Sequence, residues 1–131
     1  MAIEVTWDNS DQTALYFHAS ETWDWQDFYR KTDELYTLVK SASQNIDVIM
    51  DLSTSTTLPG NALSHFQTVM RRTPRNVRSY IFVGVSGFQA AVLSVLGHIV
   101  PERVADRFIF AQDLASAHQI LADIRQVELI R

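Results

Sequence analysis

The chain has 131 residues, a hydrophobic fraction of 47%, a charged fraction of 20% and a formal charge of −4. These are the size and composition of one globular domain around a single core. The absence of cysteine excludes disulfides and thiolate chemistry, and the acidic balance offers no electrostatic footprint for nucleic acid.

Met1 to Trp7 lacks the basic, apolar and small-residue succession of a signal peptide. The most apolar run, Ala90 to Val100, is too short to span a bilayer and contains His98. A soluble, cytoplasmic protein without a membrane span is expected. Ile3, Val5 and Trp7 alternate with Glu4, Thr6 and Asp8, the period of a half-buried strand. Asn9, Ser10 and Asp11 are turn residues, and Thr13 to Ala19 reads as a second strand that closes an antiparallel hairpin. Thr22 is the expected N-cap of an amphipathic helix, whose apolar stripe is Trp25, Phe28, Tyr29, Thr32, Leu35, Tyr36 and Val39.

Ile46 to Leu52 is short, apolar and β-branched, as suits a strand covered on both faces. The loop Ser53 to Thr57 leads through Leu58, Pro59 and Gly60 to a helix from Asn61 to Arg72, closed by Pro74. Val77 to Val85 is the next buried strand, Phe88 to Ile99 a helix stopped before Pro101, and Arg107 to Ala111 a short fifth strand. Asp113 caps a last helix containing Leu114, Ala117, Ile120, Leu121 and Ile124, and Gln126 to Arg131 carry no clear assignment. The order ββαβαβαβα predicts an α/β fold across residues 1–131. It is a mixed five-stranded sheet, an antiparallel hairpin followed by parallel βαβ units, flanked by four helices.

This succession, with its IDVIMDLS strand and closing FAQDLASAHQIL helix, resembles the SpoIIAA-like superfamily. That grouping contains the STAS domains of anti-anti-sigma factors and their STAS/SEC14-like relatives. The resemblance covers nearly the whole chain and implies a protein-interaction role. STAS members carry a phosphorylatable Ser or Thr in an Asp-Ser-Ser-Gly-like segment opening the helix after the third strand. Here Pro59, Gly60, Asn61 and Ala62 occupy that segment, so the phosphoacceptor hydroxyl is missing; Thr56 and Thr57 lie upstream. The SEC14-like side of the superfamily implies lipid binding as an alternative.

Two regions stand out as candidate sites. Ser53, Thr54, Ser55, Thr56 and Thr57 follow a buried strand and precede a helix, where open α/β sheets place ligands. Ser86, Gly87 and Phe88 leave the next strand at the same edge. Together with Asp51 they form a candidate site for a small apolar or anionic ligand. The plainer reading, that these hydroxyls satisfy loop backbone and cap the next helix, takes precedence, as does a structural role for Asp51. No P-loop pattern is present. The histidines His18, His65, His98 and His118 lack metal-ligand spacing, and Gly84-Val85-Ser86-Gly87-Phe88 lacks the last glycine of a nucleophile elbow. No cofactor or metal is expected, and catalysis is not expected. Arg71, Arg72, Arg75 and Arg78 form one basic cluster, read as a solvated helix end.

The second region is the helix Phe88 to Ile99. Phe88, Val92, Val95 and Ile99 make one apolar stripe, and Leu93, Leu96 and Val100 an adjacent one. A helix on a sheet buries one such face, so neighbouring helices, a second subunit or an apolar ligand must cover the other. Leu93, Leu96 and Val100 are the expected interface, joined by Trp23, which lies in an aromatic corner with Trp7 or at a contact surface. The reading is a non-enzymatic interaction module that pairs as a homodimer or with another protein; the alternative is a carrier of a lipid-like or anionic ligand.

Overall fold

The computed structural model describes residues 2–55 and 58–129. Along the chain run β1 (Ile3–Trp7), β2 (Ala14–Ala19), α1 (Trp25–Ser41), β3 (Ile46–Asp51) and α2 (Ala62–Met70). They are followed by β4 (Val77–Val83), α3 (Gly87–Ile99), α4 (Glu102–Ala105), β5 (Phe108–Ala111) and α5 (Leu114–Leu129). The strands lie in one sheet in chain order. β1 is antiparallel to β2, and the other three pairings are parallel. The hairpin closes as its turn residues predict, with the Asn9 side chain accepting from the backbone amides of Thr13 and Ala14.

Sheet order determines where the helices go. The three crossovers from β2 to β5 all step in the same direction, and right-handed connections then deliver their helices to one face. Accordingly the large core joins α1, α2, α3 and α4 to Leu15, Phe17, Val48, Met50, Tyr80 and Phe82 on one side of the sheet. Only α5, which follows the last strand, crosses to the other side, where Ala117 and Leu121 cover Ile49, Ile81 and Val83. Shielding on both faces is therefore real but uneven. α5 lies on β3, β4 and β5, while on the same face Glu4 and Thr6 remain exposed and Tyr16 and His18 half-buried.

Three local expectations are corrected. The α1 N-cap is Asp24, whose carboxylate accepts from the Asp27 amide at 2.8 Å; Thr22 lies two residues too early. α2 ends at Met70, where the Thr73 hydroxyl donates to the Met70 carbonyl at 2.6 Å and turns the chain before Pro74. A fifth helix, α4, follows Pro101; four residues are too few to leave a periodic signal in sequence.

The buried phenols and carboxylates inside the fold are partnered. Tyr80 OH meets Tyr36 OH at 2.8 Å and Thr73 Oγ1 at 2.7 Å, tying α1, β4 and the end of α2 together. Burial pushes both phenols up, Tyr80 far up. On the opposite face of the sheet, one register step away, buried Asp47 accepts from Ser79 Oγ at 2.7 Å and from Arg78 Nε at 2.9 Å, which offsets its desolvation.

Candidate functional site

The rim at the carboxyl ends of β3 and β4 is assembled around Asp51, the last residue of β3. Its Oδ1 accepts from the Ser53 amide at 2.9 Å and from Ser53 Oγ at 2.6 Å, and its Oδ2 accepts from Tyr16 OH. Burial would raise this carboxyl. The donors on Ser53 and Tyr16, with the nearby His18, outweigh burial and hold it below its ordinary value. Tyr16 moves the other way: burial, then donation to Asp51 and that carboxylate's charge, push its phenol well up. At neutral pH the pair is an anion held by its own chain's donors, with the phenol protonated. Neither group is set up as a base or nucleophile.

The loop beyond Asp51 is latched from every side. His18 Nε2 lies 2.9 Å from Thr54 Oγ1, and the Glu21 amide donates to the Thr54 carbonyl at 2.9 Å. Trp23 Nε1 donates to Ser55 Oγ, and Gln89 Nε2 to the Ser55 carbonyl, each at 3.0 Å. Below the loop, Gly84 has φ +71°, and a Cβ there would come within 2.4 Å of Ser53 Cβ. Only glycine lets the end of β4 pass so close to the Ser53 turn.

The structure thus brings Asp51, Ser53, Thr54, Ser55, Ser86, Gly87 and Phe88 to one rim, where a cavity of about 470 Å³ is lined by Ser53, Ser55, Leu58, Gly84, Ser86, Phe88 and Gln89. The hydroxyls of Ser53, Thr54 and Ser55 are engaged within the chain; Ser86 caps α3 without a side-chain hydrogen bond. Thr56 and Thr57 lie outside the described residues. Sequence reading missed Tyr16 and His18. The alternation in ALYFHA puts both on one face of β2, and the parallel register that sets His18 beside Asp51 was the signal that could have found them.

On α3 the two stripes exchange roles. Leu93, Leu96 and Val100 are buried inside the chain, where α3 packs on α2 and α4, so they are unavailable to a partner. The exposed stripe is the other one: Phe88 is 69%, Val95 47% and Ile99 39% exposed. Phe88, Val92 and Ile99 border a groove of about 550 Å³ whose far wall is Asn61, Ala62, Leu63, Ser64 and Gln67. Trp23 is also withdrawn from the surface. It stacks on Phe28 at 5.4 Å and meets Trp25 edge-on at 5.0 Å, so its aromatic corner is built with α1 and not with Trp7. Trp25 in turn stacks on His65 at 4.6 Å and donates to the Gly60 carbonyl at 2.6 Å. The arginine cluster disperses: Arg71, Arg72 and Arg75 are exposed, while Arg78 turns to Asp47.

Among the described residues no group of His, Asp and Glu could hold a metal ion, and no helix is long and apolar enough to cross a membrane. No protein-family model matches the chain, and a search of curated proteins finds no match. Solved structures do match. RsbS from Moorella thermoacetica, in a serine-to-glutamate variant, is similar with a TM-score of 0.69 at 13% identity, over 96% of this chain and 99% of that one. An uncharacterized DUF3478-family protein with a SpoIIAA-like fold from Shewanella loihica PV-4 is similar with a TM-score of 0.64 at 18% identity, over 92% of each chain. At these identities the likeness is one of architecture, and the architecture of this chain is SpoIIAA-like.

Proposed function

We propose that the chain is a non-enzymatic protein-interaction module of STAS-like type that pairs with a second copy of itself across the α2–α3 face. The observation that carries this reading is the uncharged, partly apolar surface of those two helices. Neither the 9 residues of α2 nor the 13 of α3 include Asp, Glu, Lys or Arg. At the chain average of 20% charged residues about four would be expected. The large apolar side chains left in solvent there are Phe88, Val95 and Ile99, beside the exposed Ser64, Thr68, Ser94 and His98.

A second copy is the occupant this surface fits. The molecule is acidic overall, and an uncharged ridge meets its copy across a two-fold axis without like-charge cost. α3 is about 20 Å long, which gives a patch at the small end of specific interfaces. Multi-angle light scattering should give a mass rising toward twice the 14.9 kDa chain at micromolar concentration. Val95→Glu should hold it at the monomer. A strict monomer in the unsubstituted chain removes the reading.

The alternative, a lipid-like or anionic ligand in the rim cavity, is supported by that cavity's position between Ser53, Ser86 and Phe88. Three of the rim hydroxyls already serve the loop, which favours the interaction reading. Native mass spectrometry after gentle purification decides it: a retained small molecule supports the carrier, and bare chain mass opposes it.

A further inference from the structure

Resting on the pairing across the α2–α3 face, we infer its geometry: the two α3 helices meet antiparallel, and Phe88 of each copy enters the α2–α3 groove of the other beside Ile99. Phe88, Val92, Val95 and Ile99 follow one another at intervals of four, three and four residues, the spacing of a two-helix seam. Val92 is half-buried, and the other three stand in solvent. The seam is symmetric about the point midway between Val92 and Val95. A two-fold axis through that point sets Phe88 against Ile99 of the second copy, and Val92 against its Val95. Every position of the seam then meets an apolar partner.

Parallel pairing would match the same four positions less well. It stacks Phe88 on Phe88 at one end and Ile99 on Ile99 at the other, which splays the helices, and it aligns two helix dipoles in the same sense. Antiparallel pairing puts one Phe and one Ile at each end, so the helices stay evenly spaced, and it opposes the dipoles. The groove fits this arrangement. α2 and α3 leave the carboxyl ends of two parallel strands, so they run in the same sense, and Gln67 and Ile99 line the same end of the groove. That end is where Phe88 of the second copy arrives. Among the described residues Phe88 is the most exposed large apolar side chain, at 69%, and the groove of about 550 Å³ admits its ring.

The test cross-links the full chain through thiols introduced at the two ends of the seam, at a concentration where light scattering shows the dimer. Under mild oxidation an equimolar mixture of Phe88→Cys and Ile99→Cys chains should give the mixed disulfide dimer, and neither variant should link to itself. In the antiparallel register the two copies of position 88 lie eleven residues apart along the contact, about 16 Å, beyond the reach of a disulfide; Val95, beside the axis, does not have this separation. Phe88→Ala should weaken association by roughly tenfold or more, and a change under about twofold overturns the role of that side chain. Self-linking of Phe88→Cys as fast as the mixed link, or a dimer without the mixed link, overturns the register and leaves the pairing itself standing. A chain that is monomeric at every concentration removes both. Should Ile99→Cys fail to fold, Phe88→Cys alone decides: a dimer without a self-link supports the register, and a self-link overturns it.

Discussion

Two surfaces meet at Phe88, and they are built on opposite plans. On one side is the rim loop, rich in hydroxyls, whose Ser53, Thr54 and Ser55 side chains all bond within the chain. On the other is α3, whose sequence is apolar and whose Phe88, Val95 and Ile99 side chains remain in solvent. The polar segment is spent on holding itself in place, and the apolar one is left for contact. Polarity of a segment is therefore a poor guide to whether it faces a partner; what matters is whether its groups are already satisfied.

The largest effect should come from the rim's tightest point. Gly84→Ala adds a Cβ against Ser53 at a position with φ +71°. The added clash and backbone strain should cost about 3 kcal/mol, measured by urea denaturation. Asp51→Ala comes next, at about 2 kcal/mol, because Tyr16 and Ser53 lose their shared acceptor.

The same carboxylate gives a pH signature. Its folded pKa is lowered, so its contribution is present above the unfolded value of about 3.9 and is lost as pH falls through the folded one. Asp51→Asn should flatten that part of the acid limb. An unchanged acid limb would show that the Tyr16–Asp51–Ser53 knot is incidental.

Thr54→Val, which removes only the partner of His18, should cost about 0.5–1 kcal/mol. The smallest change in stability should come from the other surface. Val95→Glu changes a side chain that is 47% exposed and should move monomer stability by under about 0.5 kcal/mol while abolishing self-association. A large loss of stability in that variant would mean that Val95 belongs to the fold and not to a contact.

Much of this architecture is legible in the residues. The alternation of Ile3, Val5 and Trp7, the stripe from Phe28 to Val39 and the apolar run at Ile46 each specify their element, and the order of elements leads to the mixed sheet. What periodicity does not say is which of two apolar stripes faces inward. Phe88–Val92–Val95–Ile99 and Leu93–Leu96–Val100 are equally helical in spacing. The choice was made by how α2 and α4 flank α3, a tertiary fact. Asp51 was visible as a buried carboxylate, but its partner Tyr16 lies 35 residues away and emerges only once β2 is placed beside β3. The partners of Trp23 in its aromatic corner were hidden for a related reason. Trp23 precedes the Asp24 cap, so helical angles do not apply to it, and its place is set by Phe28 and Ser55.

Because the chain has no cysteine, a single introduced thiol reports on its neighbours without ambiguity. Val95→Cys under mild oxidation should form a disulfide-linked dimer rapidly at micromolar concentration, while Thr37→Cys, on the exposed side of α1, should stay monomeric. Equal cross-linking at both positions, or none at Val95, would mean that the α2–α3 face does not meet its copy.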